Sequence, residues 1–140
     1  MRTGVLSIDF GTVRLGFALA TVDGVAMPLE TWTRRGLEED LRRVARWIEE
    51  YDVGTVIVGR PVMLDGKVTS ATERADTFRA AVVEAFPKVE VLPWDEALTS
   101  AAADARMELS GVPAKKRKHL RDAFAAAVLL EDYLNHGARS

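Results

Sequence analysis

The chain contains no cysteine. Disulfides, thiolate nucleophiles and cysteine-ligated zinc or iron–sulfur centres are therefore excluded. Histidine is nearly absent: the two present, His119 and His136, do not have the spacing of a paired-histidine zinc motif. No apolar run approaches the roughly 20 residues of a membrane-spanning helix, and the start Met1-Arg2-Thr3-Gly4 does not open a signal peptide, so a cytoplasmic protein without a membrane partner is expected. There is no GxxxxGK[ST] loop, GxGxxG fingerprint or GxSxG elbow, which removes P-loop, dinucleotide-binding and serine-hydrolase chemistry. Repeats and low-complexity linkers are also missing, and 140 residues fit one domain, 1–140.

An excess of one charge is lacking too. Nineteen basic and 21 acidic residues leave a formal charge of −2. The distribution is uneven: 8 basic and 9 acidic residues precede position 61, 5 and 9 lie between 61 and 111, and 6 and 3 follow. A basic tail thus sits on an acidic middle. Most of it is one run, Lys115-Lys116-Arg117-Lys118-His119-Leu120-Arg121, expected as a loop between two helices. Such a run can be a solvated loop, but a local positive patch also suffices to hold a phosphate backbone.

What is present reads as alternating strands and helices. Gly4–Phe10 is almost continuously apolar, as a strand covered on both faces would be. Leu15, Phe17 and Leu19 alternate in a second strand, and a turn at Asp23-Gly24 leads to a third over Val25–Thr33. Leu37, Leu41, Val44, Ile48 and Tyr51 form a helical stripe. A short strand at Thr55–Gly59 precedes a helix capped by Ser70 and Glu73, whose stripe is Ala71, Ala75, Phe78, Val82 and Phe86. Val89–Pro93 is a further strand, and Leu98–Ser110 and Leu120–Asn135 read as helices. The order βββαβαβαα implies an α/β fold, a meander continued into a mixed sheet with helices on its faces.

Acids at three places in the chain stand out against this pattern. Asp9 ends an apolar strand, where it either caps the Gly11-Thr12 turn or binds a cation. Asp95-Glu96 follows the last strand, so two strands deliver an acid at their ends. Asp122, expected in the first turn of the final helix, would ordinarily complement the helix dipole. Ala123, Ala125, Ala126 and Ala127 around it are small enough to bring that helix close to a sheet, carrying a short carboxylate with it.

Taken together the strings resemble the YqgF/RuvX family, bacterial proteins described as Holliday junction resolvases or pre-16S rRNA nucleases. The resemblance runs through Ser7-Ile8-Asp9-Phe10-Gly11-Thr12-Val13-Arg14-Leu15-Gly16, Pro28-Leu29-Glu30-Thr31, Val58-Gly59-Arg60-Pro61 with Asp65-Gly66, Asp95-Glu96-Ala97-Leu98-Thr99-Ser100 and Asp122-Ala123-Phe124-Ala125-Ala126. Val13, Arg60 and Ala97 depart from the family's usual Lys, Leu and Arg; Arg60 or Arg14 is left to replace the missing arginine.

The resemblance implies an RNase H-like fold with a five-stranded sheet. It also implies a phosphodiester hydrolase using two Mg²⁺ or Mn²⁺ ions held by Asp9, Glu96 and Asp122. Asp95, Thr12 and Thr99 would support these ligands. Arg14, Arg60, Lys115, Lys116, Arg117, Lys118 and Arg121 would contact nucleic acid. The implied partner is structured RNA in 16S rRNA 5′-end maturation, on ribosomal precursor particles, with branched DNA as the alternative and a homodimer allowed. A non-catalytic nucleic-acid- or ribosome-binding module is the reading from another class. Asp9-Phe10-Gly11-Thr12 also resembles the first phosphate loop of actin-like sugar kinases, but that reading needs a second lobe for which 140 residues leave no room.

Overall fold

The computed structural model describes residues 2–21, 23–63, 65–96 and 99–137. Three strands open it, β1 (Gly4–Phe10), β2 (Arg14–Ala20) and β3 (Ala26–Thr33), followed by α1 (Leu37–Glu50). Then come β4 (Val53–Pro61), α2 (Ser70–Ala85), β5 (Glu90–Glu96), α3 (Thr99–Leu109) and α4 (Ala114–Asp132), the last continuing as a π-helical turn over Tyr133–Gly137. The element order is the expected one. The strands form a single sheet in the order β3-β2-β1-β4-β5. The first three are antiparallel, while β4 and β5 run parallel to β1 and to each other.

Alternation along the strands divides the core in two. Leu6, Ile8, Leu15, Phe17, Val56 and Val58 face α1 and α2, meeting Val44, Trp47, Ile48, Phe78 and Val82. The opposite face is built from smaller residues: Ala18, Ala20 and Ala26 lie against Ala126, Ala127 and Leu130 of α4, with Ile57 and Leu129 beside them. A third cluster, Ala103, Met107, Phe124 and Ala125, joins α3 to α4. Small side chains on both partners let α4 lie close against the sheet.

The larger differences from the sequence reading fall at four elements. β4 extends from Val53 to Pro61 and β5 from Glu90 to Glu96, because their parallel pairing continues through Arg60↔Asp95 and Pro61↔Glu96. Pro93 does not end β5, which is an edge strand where proline's missing N–H can face away from the ladder. The capping box of α2 is Thr69 with Thr72, not Ser70 with Glu73. Thr69 Oγ1 accepts from the Thr72 amide, and Thr72 Oγ1 accepts from the Thr69 amide at 3.0 Å. Thr72 Oγ1 also donates to the Pro61 carbonyl, tying the start of α2 to the end of β4. Finally, α4 begins at Ala114, so the basic run is helical rather than a loop. Pro113 opens that helix, and the straight-chain lysines and arginines after it are good helix formers.

Candidate active site

β1 ends in the centre of the sheet, and Asp9 is its penultimate residue. Cross-strand pairing sets Asp9 opposite Gly16, and Gly16 opposite Thr31, so the three lie in one row on the α4 face. Gly16 leaves a gap that the α4 backbone fills. A Cβ there would overlap the Asp122 carbonyl and stand 3.0 Å from the Ala123 nitrogen. The Ala123 amide donates to Thr31 Oγ1 at 3.2 Å, fixing the helix on that row. Asp122 thereby reaches the sheet one strand away from Asp9.

Glu96 arrives from the other side, as the last residue of β5. It folds over Gly59 of β4, where a Cβ would overlap its carboxylate and lie 2.9 Å from a Leu129 methyl. The Asp9 and Glu96 carboxyls lie close enough for a hydrogen bond when one of them is protonated. Burial above all, then the Glu96 charge, the bond to Glu96 and the Asp122 charge, hold the Asp9 carboxyl well above the usual carboxylate range. Burial also raises Glu96, partly offset by the bond to Asp9. Glu96 Oε2 is buried with no hydrogen-bond partner.

Asp122 faces a different neighbour. Its Oδ2 accepts from Arg14 Nε at 2.8 Å, with side-chain exposures of 25% and 47%. It is the ninth residue of α4, in the third turn rather than the first, so the helix-dipole explanation does not apply. Among the described residues, no three acids or histidines are gathered tightly enough to hold a metal ion as they stand. The residues nevertheless suit a hard divalent cation. Their donors are all carboxylate oxygens, one is buried and unpaired, and two of the acids lie buried against each other without a cationic partner among the described residues.

The other expected residues are distributed more widely. Asp95 points away from Glu96 and accepts from Arg60 at 2.9 Å; Arg60 also donates twice to Asp76 of α2, at 2.7 and 3.1 Å. Arg60 is therefore committed to holding the end of β5 against α2. Arg121 pairs with Asp104 of α3, and Arg117 Nε donates to the Val112 carbonyl. Lys115, Lys116 and Lys118 are exposed, on the two turns of α4 that precede Asp122. Thr12 is exposed in the β1–β2 turn. Thr99 starts α3, though its side chain, like Ala97, lies outside the described residues.

Sequence reasoning passed over three features. Gly16 and Gly59 are strand glycines, and glycine inside a strand is itself a sign of close approach. Ser7 Oγ, on the same face as Asp9, is buried without a partner. The third is a fully buried carboxylate, Asp40, which accepts from Trp32 Nε1, Arg34 Nε and the Arg35 amide. Arg34 in turn donates to the Gly11 carbonyl and lies over the Phe10 ring at 4.8 Å. This network holds the turn directly after Asp9.

A family model described as "RuvX: Holliday junction resolvase" matches residues 3–136. The chain belongs to the RuvX family. RuvX relatives match most of its length. One, from Halalkalibacterium halodurans, is 37% identical over 138 residues, covering 96% of each chain. Another, from Acetivibrio thermocellus, is 39% identical over 133 residues, covering 94% of each. Both carry the name "Putative pre-16S rRNA nuclease". Among solved structures, Thermus thermophilus RuvC in complex with a Holliday junction superposes with a TM-score of 0.62 at 19% identity, covering 96% of each chain. Fowlpox virus resolvase with Holliday junction DNA gives 0.59 at 14% identity, covering 94% of this chain and 97% of that one. The RuvX chain thus has the RNase H-like fold of the RuvC-type resolvases, as its sequence implied.

Proposed function

We propose that this RuvX chain is a metal-dependent nuclease that hydrolyses phosphodiester bonds in structured RNA, with 16S rRNA 5′-end maturation in the cytoplasm as its setting. The observation that carries the reading is the buried carboxyl pair Asp9–Glu96, with an unpaired oxygen on Glu96, one strand away from Asp122. The names of the full-length relatives supply the substrate class.

Asp9, Glu96 and Asp122 would hold two Mg²⁺ or Mn²⁺ ions. Such ions, when bound, activate a water and stabilise the leaving oxygen of an in-line displacement. The chain's own contribution is to supply negative charge from three elements fixed by Gly16, Gly59 and the Thr31–Ala123 bond, and to exclude solvent behind them with α4. Lys115, Lys116 and Lys118 would grip the backbone just before Asp122. Thr12, Thr99 and Asp95 would support the ligands, and Arg60 would act through Asp95 and Asp76 by steadying β5.

Incubating the purified protein with Mg²⁺ or Mn²⁺ and either a precursor 16S rRNA 5′ fragment or a four-way DNA junction tests the reading. Metal-dependent cleavage of the RNA is expected, abolished by Asp9→Asn and by Asp122→Asn. Cleavage of the junction alone would reassign the substrate to branched DNA. Salt-sensitive binding without cleavage under either metal would instead indicate a binding module.

A further inference from the structure

Asp122 is claimed twice. Its Oδ2 is held by Arg14 at 2.8 Å, yet its charge is near enough to act on Asp9 across the Gly16 row. No salt bridge among the described residues gives Asp9 or Glu96 a cationic partner, so Arg14 supplies the one basic side chain bonded to these three acids. The carboxylates are therefore split into two groups, Asp9 with Glu96 and Asp122 with Arg14. Arg14 competes with a cation for the Asp122 charge, because a guanidinium and a divalent ion on one carboxylate repel each other and each weakens the hold of the other.

Arg14 is well placed to let go. It is the first residue of β2, next to the exposed Thr12-Val13 turn, and its side chain is nearly half exposed. A guanidinium fork fits a phosphate as well as a carboxylate. We propose that Arg14 is a coupling residue, which withholds Asp122 from the metal site until a backbone phosphate of the nucleic acid takes its guanidinium. Metal and nucleic acid then each tighten the binding of the other by the same factor, as linkage requires. The inference rests on the nuclease reading and adds a rule for when the site assembles: charge on Asp122 is released by substrate.

The test is Mn²⁺ binding to the full chain, followed by electron paramagnetic resonance of the free ion, for wild type, Arg14→Gln, Arg14→Lys and Asp9→Asn. Without RNA, Arg14→Gln should bind Mn²⁺ about three- to tenfold tighter than wild type, the scale of losing one partly exposed ion pair. Arg14→Lys, which keeps the charge, should lie close to wild type. In a second measurement, fluorescence anisotropy of an RNA hairpin, wild type should gain about three- to tenfold more affinity than Arg14→Gln on going from EDTA to Ca²⁺. A single cooperative melting transition in each case confirms that the variants fold. Equal Mn²⁺ affinity in wild type and Arg14→Gln, or weaker binding by the variant, would overturn the coupling while leaving the nuclease reading intact. Wild-type Mn²⁺ affinity in Asp9→Asn would remove the metal site itself, and both readings with it.

Discussion

Gly16 and Asp122 meet backbone against backbone, strand against helix, with no room between them for a methyl group. That contact sets the depth at which α4 rides on the sheet. Gly16→Ala should push the helix outward, costing about 1–3 kcal/mol as overpacking of a rigid contact does. It should also lower nuclease activity by an order of magnitude or more through displacement of Asp122. Urea unfolding and single-turnover cleavage measure the two effects. Wild-type values for both would mean that the close approach is dispensable.

The raised carboxyls of Asp9 and Glu96 predict a pH dependence of stability. Both carboxyls are raised in the folded protein, so the native state holds the proton more tightly than the unfolded one. Stability is therefore greatest at low pH on this account, and falls as pH rises above the ordinary carboxylate range through the raised values. Asp9→Asn should remove much of that slope and stabilise the protein at neutral pH by on the order of 1 kcal/mol, a pKa unit being worth about that much. A divalent cation demands the ionised forms, so Mn²⁺ should raise the wild-type melting temperature increasingly with pH and leave Asp9→Asn unmoved. Thermal melts across pH, with and without Mn²⁺, give both comparisons.

Lys115, Lys116 and Lys118 are exposed on a helical extension of about 12 Å that precedes Asp122. Replacing all three by Gln should weaken RNA binding while leaving the melting temperature essentially unchanged. The slope of log affinity against log salt should shrink by about 2–3, since each phosphate contact contributes roughly 0.7–0.9. An unchanged slope would place the RNA elsewhere on the surface.

Asp40 anchors a buried polar network rather than a surface ion pair. Asp40→Ala strands Arg34 and the Trp32 indole N–H, and should cost about 3–5 kcal/mol, as removal of one buried partner does. Asp40→Asn, which preserves an acceptor, should cost less. Because Arg34 also holds the Gly11 carbonyl, cleavage at a temperature where the variant stays folded should fall too. Chemical denaturation separates the two variants.

The element order, the mixed sheet and the strand-end position of Asp9 were legible because hydrophobic periodicity reports burial directly. The extents of β4 and β5 were not, since strand pairing carried them past Gly59 and through Pro93, residues that locally read as stops. The basic run misled for a related reason: its charge resembles a loop, while its side chains favour helix and Pro113 starts one. The small residues around Asp122 drew attention to it and the family resemblance gave it a role; the close helix–sheet contact that those residues permit is present at Gly16. The Arg14–Asp122 and Arg60–Asp76 pairs span 108 and 16 residues and leave no local pattern at all. Ion pairs of that kind depend on the assembled fold.

The three acids come from position 9, position 96 and position 122, on β1, β5 and α4. Nothing shorter than the first 122 residues contains them all, and Asp122 is set in place only when α4 has settled on β2. During synthesis from the N-terminus the first acid therefore waits for the last, and a half-made chain carries no complete set of the three proposed ligands. On the proposed reading, only completion of the fold assembles the site.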